Sequence, residues 1–299
     1  MSIDADAHSG SLEHGTSVRD ALDGAVTAIA AAGCQTPRLD AEVLLAHVLG
    51  VPRERLMIGS CAGAPERALR VSGPATRAFQ EAVRRRAVER EPVAYIVGHR
   101  GFRRLQLAVD RRALVPRPET ELLVEVGLGL PAGARVLDLA TGCGAVALAL
   151  KDERPDLHMS ASDVSAGALE LAAENGRRLQ LEVRWLHADL LEGLEQLELD
   201  ALLANLPYVA ESERAQLAPE IRRHEPPEAL FAGADGLSAL RALAAQLAPR
   251  PELRFVALEV GAGQARTVAE LVRAAGFDAI RFERDLARIQ RVVIAERHT

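Results

Sequence analysis

The stretch Val136-Leu137-Asp138-Leu139-Ala140-Thr141-Gly142-Cys143-Gly144 constrains the fold of this chain more than any other. An apolar segment of strand length runs into a glycine-bearing loop, and the alanine-rich run from Ala145 has the composition of a helix. Gly142 and Gly144 let the backbone approach a ligand where a Cβ would collide. Strand, glycine loop and helix open a doubly wound α/β fold, and strand-like segments recur around this unit. Strands are predicted near 135–139, 157–162, 183–187, 199–204, 253–259, 277–283 and 289–295. The expectation is an α/β, Rossmann-like domain over 118–299 with a mostly parallel seven-stranded sheet. Its ligands belong in the crevice at the carboxyl ends of the strands.

The residues before this domain read differently. Val18, Leu22, Val26 and Ile29 recur at helical spacing behind a candidate N-cap, Ser17. A second helix is predicted over 37–49, closed by Gly50, and a longer one after Gly73-Pro74 that ends where Glu91-Pro92 disfavours continuation. Residues 16–92 are therefore expected to form a small helical domain. Tyr95, Ile96 and Val97, then Gly98, Gly101 and the alternating Leu105, Leu107 and Val109, predict a β-hairpin linker over 93–117. Residues 1–15 are polar and acidic and are expected to be a disordered tail.

Charge and cysteine usage narrow the setting. A formal net charge of -6 argues against a protein held on nucleic acid by bulk electrostatics, so no stable nucleic-acid partner is expected. Between Arg67 and Arg104 there are nonetheless ten arginines against three acids, which we read as a solvated helix face. Cys34, Cys61 and Cys143 form no CxxC pair, and the histidines show no ligand spacing, so neither a disulfide framework nor a metal site is expected. The start has no secretory pattern, and no apolar run reaches the roughly 18 residues of a spanning helix. A cytoplasmic monomer with no membrane association is the expectation.

With Ala147 the glycine loop also satisfies the loose dinucleotide pattern G-x-G-x-x-A, so two cofactor classes compete. Asp138, ahead of the glycines, would attract a ligand ammonium and repel a pyrophosphate, which favours S-adenosylmethionine. Asp163, ending the next strand, is placed to accept ribose hydroxyls in either class. Asp189, in His187-Ala188-Asp189-Leu190, either faces an adenine amine or caps its own loop.

The element with the most chemistry is Ala204-Asn205-Leu206-Pro207-Tyr208, directly after the apolar Ala201-Leu202-Leu203. The Asn205 side-chain oxygen and the Leu206 carbonyl can accept both hydrogens of one planar NH₂ group, while the Tyr208 ring packs on its plane. Pro207 stiffens the turn. An amide nitrogen shares its lone pair with its carbonyl and is a poor nucleophile, so the site must supply alignment and electrostatic help. Cys143, between two glycines and with no nearby His in sequence, reads as a small residue rather than a nucleophile.

At these residues the chain resembles the HemK or PrmC family, the protein-(glutamine-N5) methyltransferases of class I peptide chain release factors. Pro37-Arg38-Leu39-Asp40-Ala41-Glu42 and Leu44 to Gly50 are similar to that family's N-terminal domain. Glu91 to Gly98 is similar to its hairpin entry, and Val115-Pro116-Arg117-Pro118-Glu119-Thr120-Glu121 to its linker signature. Glu225-Pro226, Asp235-Gly236-Leu237, Glu259-Val260-Gly261 with Gln264, and Gly276-Phe277 also match. The resemblance implies a class I S-adenosylmethionine methyltransferase fold and methylation of the glutamine in a release factor's Gly-Gly-Gln loop. It implies that Ala140, Thr141, Gly142, Cys143, Gly144 and Asp163 contact the cofactor, with Asp138, Asp189 and Leu190 completing that set. Asn205 would touch both cofactor and substrate, and Leu206, Pro207 and Tyr208 would complete the glutamine pocket, Asn205, Pro207 and Tyr208 being the catalytic group. Leu206 stands where the family usually has proline, Ala140 where glycine is usual, and Asp285 to Ile289 where Gly-Arg-Asp is usual. Asn-Leu-Pro-Tyr is also the form seen in dimethyladenosine enzymes of ribosomal RNA, so an adenine-N6 methyltransferase is the alternative reading. A catalytically silent release-factor-binding protein and a dinucleotide oxidoreductase are further alternatives.

Overall fold

The computed structural model describes residues 16–59 and 70–298; the expected tail, Cys61 and Arg67 lie outside these residues. The chain divides between Val97 and Gly98 into two compact units.

The first unit opens with a two-residue strand, β1 (Thr16–Ser17), and helix α1 (Val18–Ala31). Ser17 caps that helix by accepting a hydrogen bond from the Asp20 amide at 3.1 Å. The buried residues of α1 are Val18, Leu22, Ala25 and Ile29, one stripe of a 3.6-residue period. Helix α2 (Pro37–Leu49) starts on a proline and stops at Gly50, whose φ of 61° is left-handed. Then follow α3 (Arg53–Gly59), the strand β2 (Arg70–Val71) antiparallel to β1, and α4 (Gly73–Ala87). The unit ends in α5 (Val93–Val97), where the run Tyr95, Ile96, Val97 predicts a strand. The amides of Tyr95 and Ile96 both turn back to the Pro92 carbonyl, and Ala94 to Val97 are all buried. A proline that starts a helical turn and burial on every side outweigh the β propensity of the side chains.

The arginine-rich stretch is not simply a solvated face. Arg84 pairs with Glu81 and Glu89, and Arg85 with Glu91. Arg86 is 5% exposed and donates from Nε to Asp40 Oδ2 at 2.6 Å, joining α4 to α2. The other Asp40 oxygen accepts from the Thr36 hydroxyl at 2.8 Å. Breaking such a pair strands a buried charge, whereas removing both charges does not.

The second unit begins with the hairpin of β3 (His99–Phe102) and β4 (Leu105–Ala108), a 3-10 turn at Pro118–Thr120 and helix α6 (Glu121–Leu128). The α/β alternation then runs β5 (Arg135–Leu139), α7 (Ala145–Glu153), β6 (His158–Asp163), α8 (Ala166–Leu179), β7 (Arg184–His187) and β8 (Ala201–Ala204). After α9 (Pro219–His224) and α10 (Ser238–Leu247) come β9 (Phe255–Glu259), α11 (Ala265–Ala274), β10 (Ala279–Arg284) and β11 (Gln290–Glu296).

These strands form the expected mostly parallel seven-stranded sheet, in the order β10-β11-β9-β8-β5-β6-β7. β5 to β9 pair in parallel, and β11 and β10 close one side antiparallel, with a register shift between Glu283 and Arg284. Leu137, Leu139 and Leu202 to Ala204 are essentially inaccessible to solvent, as strands covered on both faces must be. From β5 the chain moves outward through β6 and β7, then returns to place β8 on the other side of β5. The loops after β5 and β8 therefore diverge at the topological switch point, where a crevice opens.

Two non-glycine residues at these loops are left-handed: Ala140 with φ 58° and Leu190 with φ 52°. An L-residue in that region costs about 1–2 kcal/mol. Ala140→Gly is expected to raise unfolding stability by about 0.5–1 kcal/mol in urea titration, the relief of the Cβ exceeding the added freedom of the unfolded chain. In the first unit, Asp40→Ala is expected to cost about 3–5 kcal/mol, and the double variant Asp40→Leu/Arg86→Met to recover most of that loss. The same titration checks both.

Candidate active site

A cavity of about 510 Å³ opens at the switch point. Its walls come from the loops after β5, β6, β7 and β8, and from residues near Ala113 and Thr120. Of the residues singled out in the sequence, Asp138, Ala140, Thr141, Gly142, Cys143, Asp163, Asp189, Leu190, Asn205, Leu206 and Pro207 all line it. Gly144 and Tyr208 do not.

The glycine loop is pinned from below by Asp138. Its Oδ2 accepts from the Thr141 hydroxyl at 2.5 Å and from the Ala147 amide at 3.0 Å. Ala147 is in the first turn of α7, whose N-cap, Gly144, has no side chain to offer, so the strand supplies the missing acceptor. Burial pushes the Asp138 carboxyl up to about 7 against those two bonds. A carboxyl in that state is easily tipped to the anion by a nearby cation.

The two loop glycines have different jobs. A Cβ on Gly142 would meet nothing closer than 4.0 Å, so this residue presents open backbone toward the cavity. A Cβ on Gly144 would lie 3.0–3.2 Å from Leu148, Ala172 and Trp185, so the packing of α7 against α8 and β7 requires glycine here. Cys143 is buried, and burial raises its thiol to about 12, which keeps it protonated and unreactive.

Asp163, at the end of β6, holds the loop from the far side. Its Oδ2 accepts from the Gly142 amide and its Oδ1 from the Ser165 amide, both at 2.9 Å. Each oxygen keeps a second acceptor site. Burial raises its carboxyl while these amides hold it down. Asp189, after the neighbouring strand β7, is exposed beside the left-handed Leu190, and the Gln246 side chain fixes the next amide, Leu191, at 2.8 Å.

Asn205 follows β8, the neighbour of β5. Its Nδ2 donates to the Thr120 hydroxyl at 3.1 Å, and among the described residues its Oδ1 accepts nothing. Leu206 is 2% exposed and packs in the core beside the sheet with Leu237 and Leu240. Where proline would fix φ, this chain has a side chain that anchors the loop by burial. Tyr208 sits behind the cavity. Its carbonyl accepts from Gln264 Nε2 at 3.0 Å, a Cβ on Gly236 would come within 2.2 Å of that carbonyl, and burial raises its hydroxyl to about 12.

The linker signature is locked to this loop region by Arg117. Its Nη2 meets both oxygens of the buried Glu225 at 2.7 and 2.8 Å. Thr120, named in the sequence only within the linker signature, lines the cavity and accepts from Asn205. Glu259 ends β9, beside β8, and is 1% exposed. Burial pushes its carboxyl up to about 7. A charged residue closing the apolar run Phe255-Val256-Ala257-Leu258 was the available signal. Among the described residues no group of side chains could hold a metal ion, and no helix is long and apolar enough to cross a membrane.

Comparison with known proteins agrees with this arrangement. The family model described as the PrmC N-terminal domain matches residues 20–98, and that of the methyltransferase small domain matches residues 118–230. The release factor glutamine methyltransferase of Rhodospirillum rubrum is 40% identical over 284 residues, covering 92% of this chain and 84% of that protein. That of Cereibacter sphaeroides is 43% identical over 282 residues, covering 92% and 97%. Among solved structures, the hMettl16 catalytic domain, in complex with MAT2A 3'UTR hairpin 6, superposes with a TM-score of 0.52 at 15% identity over 76% of this chain and 82% of that one, a likeness of fold. Bearing both domain signatures along one chain, and matching these relatives over nearly its full length, the protein belongs to the release factor glutamine methyltransferase family.

Proposed function

We propose that this protein transfers a methyl group from S-adenosylmethionine to the side-chain amide nitrogen of a release-factor glutamine, in the Gly-Gly-Gln loop of a class I factor, in the cytoplasm. The observation that carries the reading is the Asn205 amide, whose NH₂ is engaged by Thr120 and whose oxygen is left to accept. Membership of the family supports the same substrate.

The cavity suits the cofactor on its own chemistry. Asp163 retains one acceptor site on each oxygen for a pair of ribose hydroxyls, and Gly142 leaves room for a ligand against the backbone. Asp138 lies in the wall with a carboxyl that a ligand ammonium would hold ionised. Asp189 and Leu190 form the side assigned to the adenine, and Ala140, Thr141 and Cys143 complete the floor. Bound S-adenosylmethionine supplies a methyl group activated by a sulfonium.

The protein's own part is to hold the amide nitrogen in line. Asn205 Oδ1 and the Leu206 carbonyl accept the two amide hydrogens, which pushes electron density toward nitrogen as it attacks. Pro207 stiffens the turn, and Tyr208, held by Gln264, supports it from behind. The nitrogen gains the methyl carbon, the carbon–sulfur bond breaks with its electron pair returning to sulfur, and nitrogen releases one proton to solvent. No described residue of the helical unit lines the cavity, and that unit is assigned to docking of the protein substrate. An RNA adenine also presents a planar NH₂, but Arg117 to Thr120 tie the family's linker signature into the site and favour the glutamine.

Asn205→Ala is expected to lower kcat on purified release factor by about 10²–10³ while changing cofactor affinity little. Radiolabel transfer followed by peptide mass spectrometry checks it; full turnover in the variant, or label on ribosomal RNA alone, would sink the assignment. Asp163→Ala is expected to weaken cofactor binding by about 1.5–3 kcal/mol in calorimetric titration.

A further inference from the structure

Helix α8 carries a buried amide outside the cavity wall. Asn175 is 0% exposed and does not line the cavity, yet every polar site on its side chain is engaged. Its Nδ2 donates to the Ala108 carbonyl and to the Cys143 carbonyl, both at 3.0 Å. Its Oδ1 accepts from the Ala108 amide at 2.7 Å and from Arg178 Nη2 at 3.0 Å. An amide has two donor hydrogens and two acceptor sites, so none is left over. Turned end for end, it would set its oxygen against two carbonyls and its NH₂ against two donors, so only one orientation fits.

The two backbones that this amide joins lead into two walls of the cavity. Cys143 belongs to the glycine loop, which is tied elsewhere to Asp138 and Asp163. Ala108 ends β4, and the chain that continues from it supplies Arg112, Ala113, Leu114 and Pro116 to the cavity. The same helix grips that segment a second time, where Arg112 Nη1 and Nη2 reach the two Glu174 oxygens at 3.0 and 2.9 Å. This second pair is partly exposed and adds little by itself. The Asn175 bonds are shut away from water, where losing one leaves a buried group unpaired. The glycine loop also lies against α8 at Gly144, whose Cβ would come within 3.2 Å of Ala172, one turn before Asn175. The separation of the two walls is therefore set on α8.

We propose that Asn175 is a positioning residue for S-adenosylmethionine: by holding Cys143 and Ala108 on one amide, it fixes the spacing of the glycine loop from the linker wall and so the width of the cleft that receives the cofactor. It acts through these two backbones and touches neither cofactor nor substrate. The inference rests on the reading of this cavity as the cofactor's. Its effect falls on binding more than on the transfer step, because Asn205 is held separately through Thr120, and the loop after β8 through Arg117.

The test uses the full-length protein. Asn175→Ala is expected to weaken S-adenosylmethionine binding by about 10–100-fold in calorimetric titration well below its melting temperature, and to leave kcat at saturating cofactor within about threefold of wild type. A lowered melting temperature with unchanged cofactor affinity would show that the amide serves stability alone and would overturn the proposal. A second measurement needs no substitution and decides the matter if the variant does not fold. In isotope-labelled wild type, the magnetic resonance signals of the Asn175 NH₂ are expected to shift as S-adenosylhomocysteine fills the cleft, since one of its hydrogens lies on the Cys143 carbonyl. Signals that stay in place at saturation overturn the proposal while the binding itself leaves the cavity's assignment standing. If wild type binds neither ligand, the underlying reading fails, and the proposal with it.

Discussion

The active end of this protein is organised around one buried carboxyl. Asp138 stands at the point where a strand must stop, a loop must turn and a helix must begin, and its Oδ2 serves the last two at once through Thr141 and Ala147. The loop is then fixed from the neighbouring strand as well, through the Thr141 amide on the Ser162 carbonyl and the Gly142 amide on Asp163. The cost is a carboxyl held where burial opposes its charge.

A second layer of order comes from residues far apart in sequence. Arg117 reaches Glu225, and Thr120 reaches Asn205, so the short segment after the hairpin is tied at two points to the loop that follows β8. Leu206 adds an apolar tie. Ala140 and Leu190 keep left-handed backbones beside residues that are held in place, Thr141 and Gly142 by Ser162 and Asp163, and Leu191 by the Gln246 side chain.

The sheet was readable because its strands are covered on both faces and so appear as short apolar runs between turn residues, as at Val136 to Leu139 and Ala201 to Ala204. Helix α5 was not, because Tyr95, Ile96 and Val97 carry strand-forming side chains and only the Pro92 carbonyl, which collects the Tyr95 and Ile96 amides, shows the turn. In the site, the residues next to the glycine loop and Asn205 were legible from position alone. Gly144 was legible as a glycine but not as a packing position, since its neighbours Ala172 and Trp185 belong to later elements. Thr120 was visible only as part of a resemblance, whereas Glu259 shows as a charge closing an apolar run. What makes Thr120 matter is its contact with Asn205, far away in sequence, which no local pattern encodes.

The strand that ends the sheet bears on how this molecule behaves in a crowded solution. β10 has only β11 beside it, and its outer residues Arg281, Phe282, Glu283 and Arg284 are exposed, with the ladder shifting register at its end. Unpaired edges invite foreign strands, and charge with irregular pairing is the common deterrent. The far edge, β7, is only four residues long and begins on Arg184. A sheet defended on both flanks resists growth by strand addition, which leaves the strand ends, where the cavity opens, as its receptive side.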